Sequence, residues 1–536
     1  MACALGGRTP SAPTRVLQVS MNRPSSTSWP LDNGTPGQFA LVRGFLKQSG
    51  YTESAVCERL ELNALHEYST VAANTPHLLS DDSILSHLIR LFFCGECLPL
   101  SQLKPLLPSE VMDSLRGLGL LCDDRARPGE CYSPVALYPA QGLYFVSDRW
   151  VRPDRSAFDP SDDIVFPAIS RHTCQFLETL PQHPCEDLLD LCSGTGVAAL
   201  AAVSRYARRA WAVDITERAT RCAEFNILLN GLTQVTAIQG DLYAPLNGRM
   251  FDRIVAHPPY VPVMKPSKIY YDGGEDGERV TRAIIAGLPQ HLKPGGSFYC
   301  LTMGVERDGE PFEQRARHWL GEGHAEFDLL FVESRIQDLT DFAYQATVTA
   351  RGDWSQVEQW KAHFQKLRVR NLAHGALVIR RKTEPRPAFT IRRRRGPRSG
   401  PAETEWLLRW EEAAARPASA AWLLEMKPSV SPQLELRVLH RFQQSELTPV
   451  EFALETDSPF SMECKIQPWM AMLVARCDGK TRIVDLFEAC KRDRLIHPET
   501  PVEEFARLLG TLISGGFLRV EGFEPPRPAD PETSAS

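Results

Sequence analysis

The sequence predicts an α/β protein built on an open, doubly wound sheet, with smaller helical modules at both ends of the chain. Three observations carry this prediction. Apolar strand candidates alternate with helical stretches from about residue 160 to 382. Three successive strand candidates end in acids, the arrangement that gathers side chains at one crevice of such a sheet. On either flank, runs of helical periodicity close on a short β segment.

At 536 residues the chain has room for several domains. Its 43% hydrophobic and 24% charged residues are ordinary for a globular protein, and the net charge of −6 gives no overall bias toward nucleic acid. No apolar run reaches the roughly 18–20 residues of a membrane span, so no membrane partner is expected. The N-terminus has no apolar core of the kind a secretory signal needs. The 14 cysteines are dispersed, which suits free thiols in a reducing cytoplasm better than a disulfide framework.

Residues 1–34 are rich in Pro, Ser and Thr and read as a disordered tail. Helical patterns follow in "GQFALVRGFLKQSGY", "DDSILSHLIRLFFCGE" and "SEVMDSLRGLGLLCDD". "CYSPVALYPAQGLYFVSDRW" alternates about Gly142 and reads as a β-hairpin. Residues 35–150 therefore resemble a winged-helix-like module. Within it, Cys94 and Cys97 have metal-ligand spacing, but no second such pair exists. Ordinary thiols fit better than zinc, and no metal is expected.

In the central region, 151–385, the strand candidates are "DLLDLC", "RAWAVD", "VTAIQGD", "FDRIVAH", "GGSFYCLT" and "FDLLFVES". The first ends in Asp190-Leu191-Cys192-Ser193-Gly194-Thr195-Gly196, a glycine-rich strand-to-helix turn that lets backbone N–H groups approach a ligand. Asp214 closes the second strand 18 residues after Gly196, near the spacing expected of a group that bonds ribose hydroxyls. Asp241 closes the third. The fourth runs into Ala256-His257-Pro258-Pro259-Tyr260, a corner whose two prolines fix φ and donate no hydrogen bonds.

Together these motifs resemble the class I S-adenosylmethionine-dependent methyltransferases, whose core is a Rossmann-like, mostly parallel seven-stranded sheet. A dinucleotide site is the runner-up, weakened because Ala199 replaces the third glycine of its fingerprint. The corner resembles the Asn-Pro-Pro-Tyr motif of N-methyltransferases. The segment "YYDGGEDGERVTRAIIAGLPQHLKPGGSFYCLT" (270–302) is similar to the glycine loop of HemK/PrmC-like protein-glutamine methyltransferases and of related "small" methyltransferases that modify RNA bases.

The resemblance implies cofactor contacts from Asp190, Cys192, Gly194, Gly196, Asp214, Ile215, Asp241 and Leu242. It implies catalytic or substrate roles for His257, Pro258, Pro259 and Tyr260. S-adenosyl-L-methionine is the implied cofactor, and a nitrogen of a macromolecule, a protein glutamine amide or an RNA/DNA base amine, the implied acceptor. His257 stands where the family has Asn. An acceptor role then needs the neutral ring, because imidazolium has no free lone pair. The departure also leaves room for a binding or scaffold protein with a silent cofactor pocket, or for methylation of a small metabolite.

Residues 361–398 hold 13 Lys and Arg against one acid, Glu384. Residues 386–425 therefore read as a flexible basic linker and helix, either solvated or contacting phosphates or an acidic partner. The last part, 426–536, again reads as three helices and a strand, a second winged-helix-like module.

Overall fold

The structure, a computed structural model, describes residues 29–69, 79, 81–150, 161–350, 352–443 and 446–523. Residues 1–28 of the expected tail lie outside the described residues. No helix among the described residues is long and apolar enough to cross a membrane.

The central sheet has eight strands: β1 (Cys185–Leu191), β2 (Ala207–Asp214), β3 (Val235–Gln239), β4 (Phe251–Ala256), β5 (Leu292–Arg307), β6 (Phe327–Asp338), β7 (Val369–Arg381) and β8 (Thr390–Arg394). Their spatial order is β8-β6-β7-β5-β4-β1-β2-β3. Neighbours are parallel except at β7, which runs antiparallel to both β5 and β6. Helices α1 (Val197–Arg205), α2 (Glu217–Asn230) and α3 (Arg279–His291) connect parallel strands. Strands β1 and β4 are buried on both faces, with Leu188, Leu189, Ile254 and Val255 fully enclosed. Such strands read as near-continuous apolar runs because helices cover both sides. The chain leaves β1 toward β2 on one side and returns to β4 on the other, so a crevice opens beyond the C-terminal ends of these strands.

The eighth strand corrects two expectations: the sheet has eight strands rather than seven, and the basic segment is not a flexible linker. Residues 390–394 pair in parallel with β6, from Leu329↔Thr390 to Glu333↔Arg394. Strand alternation sends the arginines to opposite faces, and each face supplies acids. Arg392 meets Glu306, Glu313 and Glu333, and Arg393 meets Glu411 and Ser514. Just before the strand, Arg386 forms a buried pair with Asp328. Neutralised this way, a run of basic residues can form the edge strand of the sheet. Helix 401–414 follows and packs on the sheet, where Glu405 bonds Arg380 and Tyr299.

The N-terminal module contains helices Pro36–Gln48, Glu53–Leu60 and Ser109–Gly117. The hairpin Ala136–Ala140/Leu143–Ser147 turns at Gln141-Gly142, both with positive φ, as a two-residue primed turn requires. Its position corrects the winged reading. The first strand is wholly buried, and the second docks on α2. There Asn226 accepts from the Val146 N–H at 2.7 Å and donates to Val146 O at 3.1 Å. The hairpin is an interior wall, consistent with the continuously apolar "VALYPA". In the C-terminal module, helices Pro468–Ala475, Ile483–Arg492 and Val502–Ser514 and strand Leu518–Arg519 are joined by a three-stranded antiparallel sheet over 435–466 that the sequence pattern did not anticipate.

Candidate functional site

A cavity of about 790 Å³ opens at the predicted crevice, within the size range of cofactor pockets. One wall is the turn after β1. Cys192, Gly194 and Gly196 there all have positive φ. A Cβ on Gly194 would meet nothing within 4 Å, so its open side faces the cavity, whereas one on Gly196 would crowd Leu200 at 3.0 Å and Ala223 at 3.2 Å. Gly196 does not line the cavity. It caps α1 and lets α2 approach, which corrects its expected ligand contact. Cys192 occupies a left-handed position that favours glycine.

Asp190 is buried, and its Oδ2 accepts the Ala199 N–H at 3.1 Å. That bond explains the residue at the third "glycine" position, which sits inside α1 rather than against a phosphate. Burial pushes the Asp190 carboxyl up to about 8, against the Ala199 bond and with help from nearby Asp214. Asp214 ends β2. Its Oδ2 accepts from Gly194 N at 3.0 Å and its Oδ1 from Thr216 N at 3.0 Å. Burial raises its carboxyl, opposed by those bonds. Ile215, Asp241 and Leu242 also line the cavity, and the Gly240 N–H ties the end of β3 to Asp214 O at 2.8 Å.

Across the cavity lies the corner after β4, and His257, Pro258, Pro259 and Tyr260 all line it. The His257 ring stacks on Phe176 at 5.3 Å between centroids and tilts against Tyr260 at 5.8 Å. No hydrogen bond to its ring is formed by the described residues. Burial, with the His172 charge second, pushes its imidazole down to about 4. The ring is therefore neutral at physiological pH, as an acceptor role requires. Burial also pushes the Tyr260 phenol up to about 12, so it stays protonated.

The glycine loop braces this corner. Gly273 N donates to Val261 O at 2.9 Å and Val263 N to Gly274 O at 2.9 Å. Asp272 Oδ1 accepts from Gly274 N, and its Oδ2 from Ser267 N, both at 2.9 Å. A Cβ on Gly273 would lie 2.8 Å from Tyr260 C, and one on Gly277 2.4 Å from Tyr260 O. Glycine is required because backbone packs on backbone, holding Tyr260 in place.

Sequence reasoning missed the remaining wall, which includes Phe166, His172, Phe176 and Tyr270. Phe166 and Tyr270 contact each other at 4.9 Å. The apolar run "IVFPAIS" (164–170) was the available signal. Its backbone is held by the N-terminal module: Val165 N donates to Asp148 Oδ2 at 2.9 Å.

Cys94 and Cys97 are not brought together as ligands. Cys97 instead groups with Asp124 and Glu130. The Arg127 guanidinium lies among them, 2.8 Å from Cys97 Sγ, 3.0 Å from Asp124 and 3.2 Å from Glu130. A cation already fills the group.

The chemistry of the cavity fits S-adenosylmethionine: a strand-end acid facing inward, an open glycine turn and a largely apolar floor. Residues 169–305 match the family model described as the methyltransferase small domain. The chain is 34% identical over 175 residues to a ribosomal protein uL3 glutamine methyltransferase of Bradyrhizobium diazoefficiens, covering 30% of this chain and 55% of that one. It is 30% identical over 159 residues to a Methanocaldococcus jannaschii protein whose name places it with the protein N5-glutamine methyltransferases, covering 28% of this chain and 75% of that one. A release factor glutamine methyltransferase of Moorella thermoacetica is 37% identical over 148 residues, covering 25% and 52%. The chain thus spans about half the length of two of these relatives.

Proposed function

We propose that this chain, which belongs to the methyltransferase small-domain family, transfers a methyl group from S-adenosylmethionine to a nitrogen of a macromolecule, a protein glutamine amide being the favoured acceptor. One observation carries the reading: the His257-Pro258-Pro259-Tyr260 corner faces the same cavity as Asp214 and Asp241. An acceptor nitrogen seated at the corner is then adjacent to a cofactor held by the strand-end acids.

When bound, the cofactor supplies an already activated methyl group, so proximity and orientation are what the protein must add. Asp214 would hold the ribose hydroxyls with the lone pairs that Gly194 N and Thr216 N leave free. Asp241 and Leu242 would serve the adenine, and the open side of the Gly194 turn would leave room for the amino-acid end. The neutral His257 ring nitrogen and the backbone carbonyl at Pro258 accept the N–H groups of the acceptor amide. Tyr260 and Pro259 provide the surface on which the planar amide lies. The prolines fix the carbonyl direction before the substrate arrives.

The protein acceptor is favoured over a nucleic acid for two reasons. The named relatives act on glutamine by their names. In the arginine run that suggested phosphate binding, Arg392 and Arg393 are paired with Glu306, Glu313, Glu333 and Glu411. A cytoplasmic location belongs to this reading, supported by described cysteines that are all free thiols.

The test is transfer of tritiated methyl from S-adenosylmethionine into an extract from cells lacking the protein, with Asp214→Ala as control. Label that protease removes and nuclease leaves supports the reading. Label no higher than with Asp214→Ala would refute it, and label lost to nuclease would reassign the acceptor to a base.

A further inference from the structure

The C-terminal level of the sheet continues beyond the catalytic corner as a basic shelf. Ala256, just before His257, pairs with Cys300 of β5, Leu301 of β5 pairs with Ala376 of β7, and His374 of β7 pairs with Arg335 of β6. Arg335 is exposed, and its Nη2 donates to the uncharged Gln337 Oε1 at 3.1 Å and lies 3.2 Å from His374 Nε2, which is itself 2.9 Å from the same Oε1. Helix Arg171–Glu178 packs beside it and presents Arg171 and His172 to the cavity. Among the described residues no carboxylate lies within ion-pair distance of Arg171 or Arg335. The nearby acids are engaged elsewhere, Glu333 with Arg392 and Glu178 with Arg395.

The histidines report the resulting field. The charged form of His172 is disfavoured by burial, then Arg171 and Arg335; that of His374 by burial, then Arg335 and His172. Positive potential therefore extends from the shelf to the corner, next to a cavity whose inner end holds the acids.

We propose that Arg171 and Arg335 receive a side-chain carboxylate of the protein segment that presents the methylated amide. The inference rests on the protein-amide reading above. Two guanidinium groups with no carboxylate partner, one of them oriented by the neutral Gln337 amide, suit one or two carboxylates, which arginine meets with paired hydrogen bonds. A nucleic-acid backbone calls for a longer row of cations, and in the run next in line Arg392 and Arg393 are already paired with glutamates, which leaves Arg394 and Arg395 exposed.

The test uses the full chain and synthetic twelve-residue peptides, each with one glutamine in a Gly/Ser/Ala frame. One series carries two glutamates within four residues of the glutamine, a second carries alanines there, and a third carries arginines. Methyl transfer is measured as kcat/KM, and binding by fluorescence anisotropy in the presence of S-adenosylhomocysteine. The acidic series is expected to exceed the alanine series by roughly tenfold or more, the scale of a charged hydrogen bond. The acidic-to-alanine ratio should collapse toward one in Arg335→Gln and in Arg171→Gln, and persist in Arg507→Gln on a distant helix. Melting curves of each variant establish that it is folded.

Equal treatment of the three series by the wild type, in turnover and in binding, overturns the proposal. So does a ratio that survives both shelf substitutions. If no peptide is turned over, anisotropy decides on the same criteria. A twelve-nucleotide RNA that binds more tightly than the acidic peptides, and loses that affinity in Arg335→Gln, overturns the carboxylate assignment in favour of a phosphate backbone. Failure of the protein-amide reading is read separately, from the absence of protease-sensitive label in the extract.

Discussion

Replacing Arg386 by Met separates a docked edge strand from a solvated linker more sharply than any other single change. The side chains of Arg386 and Asp328 are 4% and 1% exposed. Arg386 Nη1 donates to Asp328 Oδ1 at 3.0 Å, and a second guanidinium nitrogen bonds Oδ2. Without the guanidinium, Asp328 keeps the Phe389 N–H at 3.2 Å, and a buried carboxylate faces an alkyl chain. Removing one member of such a pair costs about 3–5 kcal/mol. For a unit of this size that is roughly a 10 °C fall in melting temperature. A solvated linker predicts a change within about 0.5 kcal/mol. The assay is denaturant unfolding followed by circular dichroism, with tryptic cleavage after Arg392–Arg395 as a local readout. The double variant Arg386→Met/Asp328→Leu should recover most of the loss, because apolar side chains can replace a buried pair at little cost. A single variant as stable as the wild type, or a double variant no better than the single, would refute the reasoning.

Further outcomes are expected at His257, at two glycines and at Asp148. His257 should titrate near 4, below the ordinary value of 6.5, so methyl transfer should show no His257 step between pH 5.5 and 8. Across the window from 6.5 down to about 4 the unfolded imidazole takes up a proton that the folded one refuses, so stability falls as pH drops. Imidazole NMR shifts and unfolding at stepped pH check both, and a titration above 6 contradicts the assignment. Gly277→Ala forces a Cβ to within 2.4 Å of Tyr260 O at a φ of +78°; kcat should fall at least tenfold, while S-adenosylhomocysteine affinity by calorimetry changes little. Gly129→Ala, also left-handed but with open space around it, should cost only the roughly 1–2 kcal/mol of backbone strain. Asp148→Ala removes the carboxylate that accepts from Val165 N and pairs with Arg218. It should speed amide exchange at 164–168, and unchanged exchange there would show that Asp148 does not hold the cavity wall.

The parts of the site that were legible in the sequence are those fixed by local chemistry. Strand-end acids and a glycine-rich turn have short-range signatures, so Asp190, Asp214 and Asp241 could be read from spacing, whereas His257 came from the resemblance of its corner to a family motif. Gly196 was read as part of a turn that approaches a ligand, and only the packed structure shows Ala223 of α2 against it. The wall formed by Phe166 and Phe176 was illegible, because an apolar run gives no sign of facing a cavity rather than a core. The basic strand misled for a different reason. Charge runs usually mean solvent, and the acids that neutralise this one are 59 to 86 positions away from Arg392 in sequence. Long-range ion pairing has no local signature, so propensity argued for a linker and tertiary structure overrode it.

The departure at position 257 can be weighed in the same terms. Asn offers a carbonyl acceptor whatever the pH, whereas histidine offers one only while neutral. An acid beside the ring would hold it charged and destroy that acceptor. None of the groups acting on His257 is acidic: burial comes first and the His172 imidazole second. With the imidazole pushed down to about 4, roughly one ring in a thousand is protonated at pH 7. Stacking on Phe176 and Tyr260 excludes water without supplying a hydrogen bond that would occupy the ring nitrogens. The surroundings therefore preserve the one property of Asn that amide recognition needs. Burial is the main cause at His257, whereas at the neighbouring His172 burial is joined by Arg171 and Arg335 in disfavouring the charged ring.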